Sequence, residues 1–225
     1  MCRLTRKRIL RGLAAAFTII PAAVSAQSPK AATYITDEEV KTVNATPGVD
    51  RTIRVVDIGN EHFAVGIIHR GPSGGGARGT GAGAGRGGAG GGGRAAGAGA
   101  APEPCGEQEG TPPAGSATGI AHDSQTEGYL IVSGGGTLVT GGRIVNGRRS
   151  APDSEVTRVL NGPSCSGTIA GSDIVRKVVK TGDIIIIPAG VPHGWTEITD
   201  HVDYLSFRPS GKTLEVGYMH PSIKK

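Results

Sequence analysis

The stretch Gly182-Asp183-Ile184-Ile185-Ile186-Ile187-Pro188-Ala189-Gly190-Val191-Pro192-His193 constrains this chain more than any other. A glycine turn leads into a run of β-branched residues, a Pro-x-Gly turn stops it, and a histidine opens the next extended run. Short runs of this kind recur. Strands are predicted at 52–58 and 62–69, with Gly59-Asn60 as the turn between them. Further strands are predicted at 129–133, 137–140, 143–145, 167–169, 174–179, 184–187, 194–198 and 204–207. Gly134-Gly135-Gly136 reads as a hairpin turn, and 37–43 offers a helical turn or two. Short strands, frequent Gly/Pro turns and no long helix predict an all-β fold, an antiparallel double-sheet jelly roll or small β-barrel. The isoleucine run lacks alternation, which predicts cover on both faces, as in a central strand or a surface shared with a second copy.

A second stretch answers the first. His122 and Glu127 precede the strand Tyr129-Leu130-Ile131-Val132-Ser133-Gly134. If Glu127 faces the interior, so do Tyr129, Ile131 and Ser133; if His193 does, so do Trp195 and Glu197. His122, Glu127 and His193 then supply two imidazoles and a carboxylate, a ligand set for one divalent metal. Open coordination positions beside such a set favour Fe(II); Zn, Mn or Ni would also accept it. Ile120, Tyr129, Ile131, Trp195 and Phe207 are the expected apolar lining of the pocket. Tyr129 and Glu127 are the candidate proton shuttles, and the sequence does not choose between them.

The two stretches resemble the two motifs of the cupin family. The second motif runs Gly, five residues, Pro, one, Gly, two, His, three, Asn. Gly182, Pro188, Gly190 and His193 match it, with Glu197 in the Asn position. The first motif runs His-x-His, three or four residues, Glu, six residues, Gly. Glu127 and Gly134 fit, His122 is the second histidine, and Ile120 stands in the place of the first. The resemblance covers about residues 115–210. It implies a jelly-roll barrel with three of four usual ligand positions filled, and His69 is the candidate to replace the fourth.

Residues 1–26 read as a cleavable secretory signal, with Arg3, Arg6, Lys7, Arg8 and Arg11, a short apolar run, and Val24-Ser25-Ala26 before the cut. The formal charge of +5 equals those five basic residues, so about zero remains on the mature chain. That leaves no basic face for nucleic acid. No mature segment has the length of a membrane span. Residues 27–70 carry the first barrel strands. Residues 71–119 read as a disordered Gly/Ala/Pro-rich insertion, since glycine fills 16 of positions 71–100 and little apolar surface is left to bury. The barrel core is expected at 120–210 and a tail at 211–225. Cys105 and Cys165 remain after export, and an oxidising periplasmic or extracellular setting favours a disulfide over two free thiols.

Two functions follow. One is a metal-dependent exported cupin acting on a small organic molecule, with oxygenase-type chemistry as the concrete form and dioxygenase, isomerase and lyase types all open. The other is a non-catalytic protein that binds a small molecule or contacts the envelope through a degenerate site. The isoleucine-rich strand permits a homodimer.

Overall fold

The computed structural model describes residues 31–73 and 102–224. The signal segment and the most glycine-dense part of the insertion lie outside these residues.

The chain opens with α1 (Asp37–Asn44). Thr36 caps it: its hydroxyl accepts from the Glu39 amide, and the Glu39 carboxylate accepts from the Thr36 amide. This reciprocal capping fixes the start of so short a helix. It sets Val43, which is fully buried, against Ile53 and Ile67. Eleven strands follow: β1 (Asp50–Asp57), β2 (His62–Arg70), β3 (Pro104–Cys105), β4 (Thr118–His122), β5 (Glu127–Thr140), β6 (Arg143–Arg149), β7 (Ser164–Ala170), β8 (Val175–Lys180), β9 (Ile184–Ile187), β10 (His193–Thr196) and β11 (Val202–Pro209). Every ladder between them is antiparallel. The fold is all-β with two sheets, in the order β1-β2-β11-β5-β9 and β8-β5-β10-β4-β7-β6-β3. The sheet does not close on itself among the described residues, since β1 and β3 lie at its two ends.

The double membership of β5 organises the molecule and corrects the sequence reading. Gly134-Gly135-Gly136 is not a hairpin turn but the middle of one 14-residue strand. Residues before the glycines pair with β11 and β9; residues from Gly135 onward pair with β8, and from Thr137 with β10. Val132 is an extra residue against β11, whose register jumps from Ser133 to Ile131. A bulge of this kind bends and twists the strand that carries it. It also ends the expected alternation, so Ser133 pairs its hydroxyl with His201 Nε2 at 2.7 Å. Gly134 has φ +67°, and a Cβ there would lie 2.0 Å from the His201 carbonyl oxygen. Gly134→Ala is therefore expected to cost about 1–3 kcal/mol. Urea denaturation will measure it, and an unchanged midpoint would remove the bend from its structural role.

The core lies between the sheets and continues beneath α1. One cluster joins Ile68, Tyr129, Ile131, Leu138, Val179, Ile187, Ile198, Val202 and Tyr204. Residues 211–224 are not a free tail: Leu214 is buried with Val55, Ala64, Val159 and Leu160. The insertion also ends earlier than its composition suggests. From residue 102 the chain is tied down, with β3 paired to β6 and a disulfide joining Cys105 to Cys165. The isoleucine strand is covered on one face only. Ile187 is buried, but Ile184 and Ile186 are each 73% exposed.

Candidate metal centre

The bend in β5 lets the two sheets face each other across one point. His122 comes from β4 and His193 from β10, neighbours in the second sheet with Ile120 paired to His193. Glu127 comes from the first half of β5, in the other sheet. One ligand atom from each of these three residues lies within 4.8 Å of the other two, and all three residues are buried. Each inward position follows from strand alternation: Ile120 shares a face of β4 with His122, and Tyr129 and Ile131 share one with Glu127.

The hydrogen bonds assign the protons. The His193 Nδ1 lies 3.0 Å from the Val191 carbonyl oxygen, which only accepts, so this nitrogen carries the hydrogen. The His122 Nδ1 lies 2.8 Å from the Ser164 hydroxyl. That hydroxyl reaches the carbonyl oxygens of Asn161 and Gly162 at 3.1 and 2.9 Å. Giving its single hydrogen to them makes His122 Nδ1 the donor to Ser164. Burial holds the His122 imidazole below its ordinary range despite the pull of Glu127 in the opposite direction. A neutral ring with hydrogen on Nδ1 has its lone pair on Nε2. The Nε2 atoms of His122 and His193 lie 2.9 and 3.1 Å from Glu127 Oε1 and Oε2. Each ring thus turns Nε2 toward the carboxylate, so two imidazole nitrogens and a carboxylate offer ligand atoms to one buried point.

Glu127 stays ionised. Burial alone would raise its carboxyl, but the guanidinium of Arg208 outweighs that and holds it well below the usual range. Tyr129 donates its hydroxyl to Oε2. Oε1 lies 2.6 Å from Arg208 Nη2 as well as close to His122, yet neither contact has the alignment of a hydrogen bond. Oε1 is then a fully buried anionic oxygen without an aligned donor, which fits a metal ligand. The residues present thus match a His₂-carboxylate metal site.

Arg208 is the functional residue the sequence did not disclose. It is 3% exposed, and all its contacts are internal: Nε donates to Ser206 Oγ at 2.6 Å, Nη1 to Asn161 Oδ1, and Nη2 faces Glu127. Asn161 ends the π-helical turn Thr157–Asn161, so one residue holds Arg208 by its side chain and Ser164 by its carbonyl. Such turns occur often at functional sites. Gln125 was also missed. It is 1% exposed, its amide has no hydrogen-bond partner, and it lies where a Cβ on Gly162 would be 3.0 Å from its oxygen.

Two expected members are placed elsewhere. His69 is exposed on β2 and pairs with Asp203 at 2.6 Å, so it does not supply a fourth ligand. Phe207 lies on the face of β11 opposite Arg208 and is half-buried, because Val202, Tyr204, Ser206 and Arg208 take the interior. Tyr129 and Ile131 belong to the core cluster, and Trp195 packs half-buried against it, its ring centroid 5.5 Å from that of Tyr204. Burial and the neighbouring Glu127 raise the Tyr129 hydroxyl well above its ordinary range, so it keeps its proton. Glu197, beyond Trp195, is exposed and accepts from the Thr137 hydroxyl at 2.8 Å.

No family model matches the chain, and no curated protein matches it. Among solved structures it is similar to an oxalate oxidase in complex with the substrate analogue glycolate, at 12% identity over 75% of this chain and TM-score 0.33. The chain spans 55% of the length of that oxidase. It is similar to an uncharacterised conserved protein with a double-stranded β-helix domain from Klebsiella pneumoniae, at 15% identity, over 82% of this chain and 94% of that one, TM-score 0.33. It is also similar to the DMSP lyase DddQ from Ruegeria pomeroyi, at 9% identity, over 91% and 87% of the two chains, TM-score 0.33. Likeness at this level carries no function, and the functional reading rests on the site.

Proposed function

We propose that this chain is an exported, cupin-type protein that binds one divalent metal through His122, Glu127 and His193 and acts on a small organic molecule. Iron(II) with oxygen-dependent chemistry is the most specific form of that reading. The observation that carries it is the convergence of two Nδ1-protonated imidazoles and one ionised carboxylate on a shared buried point. A divalent ion bound there supplies Lewis acidity, and iron adds redox capacity. The chain's own residues do the rest. Ser164 and the Val191 carbonyl fix the ring orientations. Tyr129 orients the carboxylate and retains its proton. The apolar cluster around Tyr129, Ile131 and Tyr204 excludes water.

Export is supported by the disulfide, which suits an oxidising compartment. Pairing of two copies through the exposed Ile184 and Ile186 belongs to the same proposal.

Metal analysis of protein purified from its native compartment tests this. About one divalent ion per chain is expected, falling below about a tenth in a folded His193→Ala variant. Wild-type protein without metal would end the reading.

A second reading, metal-free binding of a small molecule, draws on Arg208, which already gives Glu127 a cationic partner at 2.6 Å. His122→Ala separates the two. Loss of metal and turnover supports the first, and loss of slight stability alone supports the second.

A further inference from the structure

We propose that Ser133, His201 and Asp200 form a second reactive site, on the outer face of the first sheet, which hydrolyses small carboxylic esters. It is separate from the metal centre, since Ser133 lies about 20 Å along β5 from Glu127 at ordinary strand rise. The Ser133 Oγ lies 2.7 Å from His201 Nε2, and His201 Nδ1 lies 2.6 Å from Asp200 Oδ2. A carboxylate only accepts, so Nδ1 carries the hydrogen and Nε2 turns its lone pair to the serine hydroxyl. A hydroxyl, an imidazole placed to take its proton, and a carboxylate that fixes the imidazole's tautomer are the parts of an activated serine nucleophile. The order of contacts matters. A histidine that merely pins a strand could bond the serine through either nitrogen, whereas nucleophile activation needs the carboxylate on one nitrogen and the hydroxyl on the other.

The backbone is shaped around this contact. Val132 is the extra residue of the β5 bulge, so Ser133 leaves the interior face of Glu127, Tyr129 and Ile131 and comes to lie opposite Asp203. Bulges are frequent beside active sites, where they re-aim a side chain. Gly134 follows with φ +67°, and the Gly135 amide bonds the His201 carbonyl at 2.9 Å, so the same strand fixes the main chain of the base. Asp203 pairs in register with Ser133 on one side and His69 on the other. It holds His69 Nδ1 at 2.6 Å, and the His69 ring lies 6.1 Å from the His201 ring at 22° to it, closing one side of the base. The His201 and Asp200 side chains are 30% and 87% exposed, so the site is open to solvent. An open site supplies little binding energy, which suits a small ester whose alcohol leaves readily. Ser133 Oγ bonds to the ester carbonyl carbon as its proton passes to His201 Nε2; the bond to the alcohol oxygen breaks, and the alcohol leaves with that proton. Water then bonds to the acyl carbon as Nε2 takes its proton, Oγ is expelled and recovers the proton, and the carboxylic acid departs.

The test uses the full chain in the presence of a chelator, so that hydrolysis by a bound ion does not enter. p-Nitrophenyl acetate is the substrate, and a fluorophosphonate is the covalent probe of the nucleophile. Peptide mapping is expected to place about one phosphonyl group per chain, on Ser133. Ser133→Ala is expected to abolish both the adduct and the ester hydrolysis. Labelling is expected to slow at least about a hundredfold in His201→Ala and at least about tenfold in Asp200→Asn. Asp200 is a surface position, so the second variant decides alone if His201→Ala does not fold. No adduct, an adduct on another serine, hydrolysis that survives Ser133→Ala, or a labelling rate unchanged in Asp200→Asn would overturn the proposal. Labelling of Ser133 in a chain that never holds metal would sustain this site and leave the metal reading to its own test.

Discussion

Arg208→Leu is expected to destabilise the metal-free protein by about 3–5 kcal/mol at neutral pH. Glu127 is fully buried, and Arg208 is the first of the charges that keep its carboxyl ionised there. Removing the guanidinium strands an anion in the interior, with Asn161 and Ser206 losing a partner as well. Three comparisons establish the cause. The double variant Glu127→Leu/Arg208→Leu regains most of the loss, because a well-packed apolar pair replaces a buried ion pair at little cost. Added divalent metal restores part of the stability of Arg208→Leu and none to the double variant, which lacks the ligand. The deficit also shrinks on acidification. In wild type the depressed carboxyl contributes stability that is complete above the unfolded value of about 4.3 and is lost as pH falls through the folded value. In Arg208→Leu burial dominates, the carboxyl rises, and protonation on the way down in pH removes the stranded charge. Urea titrations at two pH values, with and without metal, measure all of this. A deficit under about 1 kcal/mol would show that Glu127 has other adequate partners.

The three residues that could hold a metal were legible because backbone punctuation exposes them. Gly182, Pro188 and Gly190 fix where β9 ends and β10 begins, and that sets the direction of His193. Glu127 and His122 followed from spacing. Arg208 was hidden by parity. In Val202-Asp203-Tyr204-Leu205-Ser206-Phe207-Arg208 hydropathy marks Leu205 and Phe207 as the apolar side, and the interior takes the other set. The reason lies in α1, which covers the outer face of the sheet and leaves Leu205 packed against the cluster of Val43, Ile53 and Ile67. Both faces of β11 are therefore sheltered, and hydropathy alone does not say which one meets the site. His69 failed for a similar reason, as the strand that carries it ends at an exposed rim beside Asp203. The three glycines of β5 misled because the residues that make a tight turn also permit a strand to bend between two sheets.

Replacing both cysteines, as Cys105→Ala/Cys165→Ala, is expected to cost about 4 kcal/mol. The bridge spans a sequence separation of 60, and the chain-entropy model gives that magnitude for such a loop. Residues 103–110 have further ties to β6, since Glu103 and Glu107 bond its backbone and Arg143 pairs with Glu107 and Glu109, but the ion pairs are exposed and contribute little. β3 is two residues long and pairs only through Pro104 and Cys105, so its ladder alone holds the returning chain weakly. The consequence reaches the centre through one residue. Cys165 adjoins Ser164, whose hydroxyl orients His122, and both lie on β7. Ser164 also keeps its own anchors on Asn161, Gly162 and Ser150, so its position does not depend on the bridge. Stability should therefore fall while metal stoichiometry persists in the folded fraction. Chemical denaturation with and without reductant, followed by metal analysis of the native peak, separates the two effects. If metal is lost in step with the bridge while the sheet stays folded, the disulfide positions the site as well as closing the loop.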